Sequence, residues 1–319
     1  MATPIHRKMV RIPGRVIERK SLCVQKVKLR PYYLSAHKVT VGEFSKYIED
    51  EPRMKGQVGM DAQGRLGVLR RGEGNDVSRF VECLHDPCNF DRTSAETSFL
   101  HEPVDLAPTA DFRHLYKKHY HDASWPMTGV NLFHILGYID WETRQARINA
   151  RHGVLRLPYA EETSNAALGK DGTNEYGTSR GVLRGEAGQP LAHFNPRVAS
   201  LGHYVIPVGS YPGVLWPDGE IFDLAGNGFE FQNGLFLGAE ELYAGEGIIE
   251  HPIGAKSTPG GYIGLMPREL RGGMFQRDEN DRTLRADYGV PAMPFHANLY
   301  TGFRLAADAW SPHELLPAW

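Results

Sequence analysis

Asp223-Leu-Ala-Gly-Asn-Gly-Phe-Glu230 is the stretch on which the reading of this 319-residue chain turns. Two carboxylates bracket a run in which Gly226 and Gly228 leave backbone carbonyls free to turn inward. Asn227-Gly228 takes left-handed backbone conformations readily, so a tight turn is expected. The same residues offer hard oxygen donors at flexible spacing, the mixture that calcium binds. A plain turn and a calcium turn are both open on these residues alone.

Outward from this turn, the apolar pieces are strand-length: Val24–Leu29, His203–Val208, Glu220–Leu224, Phe229–Phe231 and Phe303–Ala306. The 35 glycines and 21 prolines are spread along the chain, which punctuates it into short elements and discourages long helices. Two helices are predicted. One starts after Thr40, with Val41, Phe44, Tyr47 and Ile48 as its apolar stripe, Thr40 as N-cap and Glu43 at the capping-box position. The other spans Leu132 to Arg147, with Phe133, Leu136, Ile139 and Trp141 on or near one face. Residues 51–124 read as a polar insertion with long loops, and roughly 168–200 as a second polar stretch; loops of such length are often functional or partner-facing.

Several segments, in order, resemble the formylglycine-generating-enzyme (sulfatase-modifying factor) family. Met9-Val-Arg-Ile-Pro-Gly14 is similar to its opening strand and turn. Tyr32-Tyr-Leu-Ser-Ala-His-Lys-Val-Thr40 resembles its F-x-I-x-x-x-E-V-T lead into the first helix, and Trp125-Pro-Met-Thr-Gly-Val130 its P-V-x-G-V-S-W segment. Leu155-Arg-Leu-Pro158 with Glu161-Glu162 is similar to R-L-P-T-E-A-E-W-E, and Pro207-Val-Gly-Ser-Tyr211 to P-V-G-S-F. The turn at 223–230 resembles D-M-A-G-N-V-W-E, while Leu270-Arg-Gly-Gly273 and Gly302-Phe-Arg304 match R-G-G-S-W and G-F-R. Single matches are weak; their common order makes the resemblance specific.

The resemblance implies an α+β, C-type-lectin-like fold with short twisted antiparallel sheets, two main helices and much irregular structure. It implies one domain over 9–306, carrying the 51–124 insertion, and a tail over 307–319. It also implies a structural calcium at Asp223, Gly226, Gly228 and Glu230, with the glycines as backbone ligands. One departure bears on activity. Family members that oxidise a substrate cysteine hold copper on two cysteines between the last two motifs, and no cysteine lies between Gly273 and Gly302. Copper–thiolate chemistry has no soft ligands there, so neither copper nor formylglycine generation is expected.

Other constellations are less specific. Cys83, His85 and Cys88 with His114, His119 and His121 are nitrogen and sulfur donors in two clusters. Their spacing matches no standard ligand pair, and His114 and His119 would stand about 140° apart on a helix. Gly177-Thr-Ser-Arg-Gly181 fits the nucleophile-elbow pattern around Ser179, but polar, turn-forming residues precede it where an apolar strand is required. The segment at about 275–300 mixes Phe275, Arg277, Asp281, Arg282, Asp287, Tyr288, Phe295, His296, Asn298 and Tyr300, the ingredients of a recognition surface. The resemblance places this segment on the outward, ligand-facing side of the fold.

These readings favour a non-catalytic protein that recognises a protein or small-molecule ligand through the 275–300 surface. Variable proteins of diversity-generating retroelements resemble this family and carry their diversified segment just before G-F-R. A divergent enzyme acting on a peptide-derived or siderophore-type intermediate is the alternative, and needs a pocket combining His296, Arg285 or Glu162. A regulatory or assembly partner working through 51–124 is the third. A formal charge of −2 gives no basic field for nucleic acid or anionic membrane. Three cysteines, no apolar run of roughly 18 residues and no apolar segment behind the first basic residues lead to an expected cytoplasmic location, a phage-type particle included.

Overall fold

Helix α1 (Val41–Asp50) begins where the capping box puts it: Thr40 N–H donates to Glu43 Oε2 at 2.7 Å, and Glu43 N–H to Thr40 Oγ1 at 3.3 Å. Its stripe of Val41, Phe44, Tyr47 and Ile48 is buried. The computed structural model describes residues 8–20, 24–50, 55–60, 66–69, 98–99, 104–105, 122–147, 155–194, 205–235, 248–250, 268–273, 282–294, 297 and 300–309.

Before α1 come β1 (Met9–Ile12), β2 (Val16–Lys20), β3 (Val24–Lys28) and β4 (Tyr32–Ser35). After it come β5 (Lys55–Met60), β6 (Leu66–Leu69), β7 (Ser98–Phe99) and β8 (Val104–Asp105), then α2 (Leu132–Arg147), β9 (Leu155–Arg156) and α3 (Ala160–Leu168). The remainder is β10 (Val214–Trp216), β11 (Gly219–Ile221), β12 (Phe229–Leu235), β13 (Ile248–Glu250), β14 (Arg268–Arg271), β15 (Val290–Ala292), β16 (Thr301–Gly302) and β17 (Ala306–Asp308). Small, mostly antiparallel sheets and three helices among the described residues make this an α+β fold.

Two sheets position the surroundings of the 223–230 turn. In one, ordered β1-β4-β17-β9, strands from near the two ends of the chain meet, with Leu34 opposite Ala306. In the other, ordered β15-β14-β12-β16, β12 runs parallel to β16 with Glu230 opposite Gly302. The chain between β16 and β17 lies along residues 35–39: Ser35 N–H donates to Leu305 O at 2.8 Å and Val39 N–H to Phe303 O at 2.9 Å. These registers bring Lys38, Glu230 and Arg304 to one place. The main core stacks Phe44 on Tyr138 at 5.4 Å, with Tyr47, Trp141 and Phe303 closing around them.

Several local expectations change. Helix α2 is not buried on one face only: Leu132, Ile135, Tyr138, Asp140, Glu142 and Thr143 are buried along with the expected stripe. It packs on α1 and also meets β6 and β8. Segment 51–124 therefore includes strands that cover α2, with β5 paired to β6, β7 and β8, and is more than long loops. Helix α3 adds a third helix to the two expected; all but one of its residues are buried, so no apolar stripe marks it. Val205–Val208 forms no strand, and 203–204 lie outside the described residues. Phe303–Leu305 pairs through isolated backbone bonds, and regular strand starts only at Ala306.

Candidate functional site

The turn at 223–230 is built from left-handed backbone: φ is 55° at Asp223, 75° at Gly226, 53° at Asn227 and 94° at Gly228. Gly226 is required for a second reason, since a Cβ there would strike the His193 carbonyl. The Asn227 amide clamps the turn by exchanging two hydrogen bonds of 3.1 Å with the Ile206 backbone. Gly226 N–H donates to Gly272 O at 2.6 Å, tying the turn to the end of β14. The Asn227-Gly228 reading as a tight turn therefore holds.

The inward carbonyls face a side chain of the protein itself. The Lys38 ammonium donates to Gly228 O and, at 3.3 Å, to Gly226 O, and lies 3.2 Å from Glu230 Oε1. On the other side Arg304 grips Glu230 with Nε to Oε2 at 2.5 Å and Nη2 to Oε1 at 2.6 Å. Arg304 also donates to Ser35 O, Phe222 O and Asp223 O. Lys38, Glu230 and Arg304 are all 0% exposed. Asp223 accepts from Gly209 N–H at 2.9 Å.

Burial and neighbouring charge compete at three of these groups. It pushes the Glu230 carboxyl upward, but Arg304 and then Lys38 outweigh it and hold Glu230 below the usual carboxylate range. Burial lowers Lys38; the Glu230 carboxylate offsets this only in part, and repulsion from the Arg304 guanidinium adds to the lowering. For Asp223 burial wins, raising its carboxyl despite the Gly209 hydrogen bond. An anion shared by two cations is the favoured charged group, and the second cation bears the cost of burial.

These residues do not fit the calcium ion expected at Asp223, Gly226, Gly228 and Glu230. An ammonium has three donors, and here Gly226 O, Gly228 O and Glu230 Oε1 face them. Calcium needs six to eight oxygens, and it would enter beside two buried cations. Among the described residues no group of three or more His, Cys, Asp or Glu is placed to hold a metal. Cys83, His85, Cys88, His114, His119 and His121 lie outside the described residues.

A second buried polar layer surrounds α3. Arg156 makes two 2.7 Å bonds to Glu162 and another of 2.7 Å to Asp308 on β17. Glu162 also accepts Tyr159 N–H at 2.9 Å, which starts α3. Thr163 donates to Gln232 Oε1 at 2.6 Å, and Arg271 joins Ser164 at 3.0 Å and Glu269 at 2.5 Å. Glu162 is thus consumed in a structural pair. Arg285 stands in another, bound to Glu175 and, at 3.1 Å, to Asp287. The two belong to separate ion pairs, and His296 lies outside the described residues. Ser179 sits among turns with neither strand before it nor helix after it, in keeping with the polar residues that precede it.

Of the 275–300 set, Phe275, Arg277, Asp281, Phe295, His296 and Asn298 lie outside the described residues. Arg282 and Tyr288 are exposed, while Asp287 and Tyr300 are half-buried. Between them Leu284 and Ala286 are buried, so the segment alternates anchor and display. Arg285 is held by its two carboxylates at the surface. Lys38 escapes sequence reasoning as a site residue, although it replaces the glutamate of the pattern at 32–40, and that mismatch is the available signal.

The sequence model of the sulfatase-modifying factor enzyme 1-like domain matches residues 4–309. No curated protein sequence matches. Among solved structures, PvdO from Pseudomonas aeruginosa is similar in fold, with a TM-score of 0.55, 16% identity, and 94% of each chain covered. Variable protein 1 of Treponema denticola is similar to the same degree, with a TM-score of 0.55, 14% identity and 94% of each chain covered.

Proposed function

The chain belongs to the sulfatase-modifying factor enzyme 1-like domain family, and from that premise we propose that it is a non-catalytic recognition protein. Its binding surface is the segment at about 275–300, and its ligand is a protein or a small molecule. The observation that carries this reading is the alternation in that segment: Leu284 and Ala286 are buried while Arg282 and Tyr288 stand in solvent. An exposed arginine and tyrosine on an anchored backbone lose little freedom on binding, which is what a recognition surface needs. The ion pairs of Arg285 with Glu175 and Asp287 stiffen the same backbone. The likeness in fold to a protein described as a variable protein supports the reading. So does the lack of cysteine between Gly273 and Gly302.

The test compares capture by the wild type and by an Arg282→Ala/Tyr288→Ala double variant. Arg282 is exposed and Tyr288 keeps 37% of its surface in solvent, so a thermal melt of the variant accompanies the test to show that the fold is kept. A ligand retained from the source cell by the wild type and lost at least tenfold by the variant supports the surface. Equal retention by the two sinks it. A near-copy of the coding segment for 271–304 beside a reverse-transcriptase gene is the genomic counterpart.

A further inference from the structure

We infer that this protein carries its own cation in the turn at 223–230, the Lys38 ammonium standing in for a divalent ion, so that the turn holds its shape without metal. Three observations converge. Lys38 is wholly buried, and its ammonium faces three acceptors, Gly226 O, Gly228 O and Glu230 Oε1, one for each of its N–H donors. In the F-x-I-x-x-x-E-V-T pattern that Tyr32–Thr40 resembles, the position matching Lys38 is a glutamate. One glutamate plus one doubly charged ion leaves the same single net positive charge as one lysine. The exchange therefore conserves the charge that Glu230 and Asp223 face, with Arg304 as the second cation.

The substitution also changes how the turn is linked to the rest of the fold. A metal ion joins ligands without belonging to any strand. Lys38 belongs to the chain that bonds to Phe303 O through Val39 N–H and to Phe222 N–H through Ala36 O. The cation is thus fixed covalently to the segment entering α1. The turn and that segment become one unit that a chelator does not reach.

The experiment measures thermal midpoints and bound calcium, by equilibrium dialysis, for the wild type, Lys38→Glu and Lys38→Met, each in EDTA and in calcium. The expected result is a wild type with one midpoint in both conditions. Lys38→Glu is expected to bind one equivalent of calcium more than the wild type, with a midpoint raised by about 5 °C when calcium is a hundredfold above Kd. Lys38→Met removes the ammonium without adding an anion, and takes over the comparison if Lys38→Glu does not fold in EDTA. The inference is overturned if neither variant binds more calcium than the wild type. It is equally overturned if EDTA lowers the wild-type midpoint as far as the variants', or if neither variant folds even with calcium present.

Discussion

Arg304 and Glu230, 74 positions apart in sequence, form a two-pronged pair of 2.5 and 2.6 Å with neither residue exposed to solvent. Arg304 is the end of the Gly302-Phe-Arg304 segment, and Glu230 closes the turn that begins at Asp223. The parallel register of Glu230 with Gly302 makes the pair possible, because it sets Arg304 two residues beyond the point of contact. Removing the guanidinium leaves a buried carboxylate with Lys38 alone. Arg304→Met is expected to lower unfolding stability by about 3–5 kcal/mol. Arg304→Lys recovers only part of this, since an ammonium cannot reproduce the planar fork. Urea unfolding of both variants checks the order, and equal stability of Arg304→Met and wild type would contradict it.

Acid should act on Asp223 and Glu230 in opposite senses. Asp223 has a raised folded-state value, so its ionised form costs stability above that value. The cost disappears as pH falls through the folded value towards about 3.9, the unfolded one. Glu230 has a depressed folded-state value, so its contribution is present above the unfolded value of about 4.3 and lost as pH falls through the folded one. Relative to Asp223→Asn, the wild type is expected to gain stability between neutral pH and about pH 4. Relative to Glu230→Gln, it is expected to lose stability below about pH 4. Denaturant midpoints across this range read both slopes.

Gly226→Ala tests the geometry of the turn. The left-handed backbone costs an L side chain about 1–2 kcal/mol, and the new Cβ also meets the His193 carbonyl. The expected loss exceeds the strain alone. A loss under about 1 kcal/mol would mean that the backbone at His193 yields freely.

Phe44→Ala opens a hole among Tyr47, Tyr138 and Phe303, whose rings lie 5.3 to 6.2 Å from it. A stability loss of about 3–5 kcal/mol is expected, with an unchanged slope against denaturant. Refilling by the neighbouring rings would show as a smaller loss.

Much of the scaffold is legible locally. Thr40 and Glu43 cap α1 within one turn of chain, and Asn227-Gly228 needs no distant partner to adopt its conformation. Helix α3 is not legible. Ala160–Leu168 is buried on nearly all sides, so its polar residues find partners on β12 and β14 in place of water, and no stripe survives to be read. Strands β5 to β8 escape for a related reason: their alternation is too short to stand out from the polar sequence around them.

The order of motifs in the chain was enough by itself to determine the family and the α+β class, because each motif carries its own turn or cap chemistry. The absence of cysteine between Gly273 and Gly302 was likewise complete in the sequence. What fills the turn at 223–230 was decided only in three dimensions. Oxygen donors in a row suit a calcium ion or an ammonium equally well. The choice depends on whether a lysine 190 residues away, counted to Gly228, is carried to the same carbonyls. Pairing of residues 35–39 with 303–305, and of β12 with β16, carries it there.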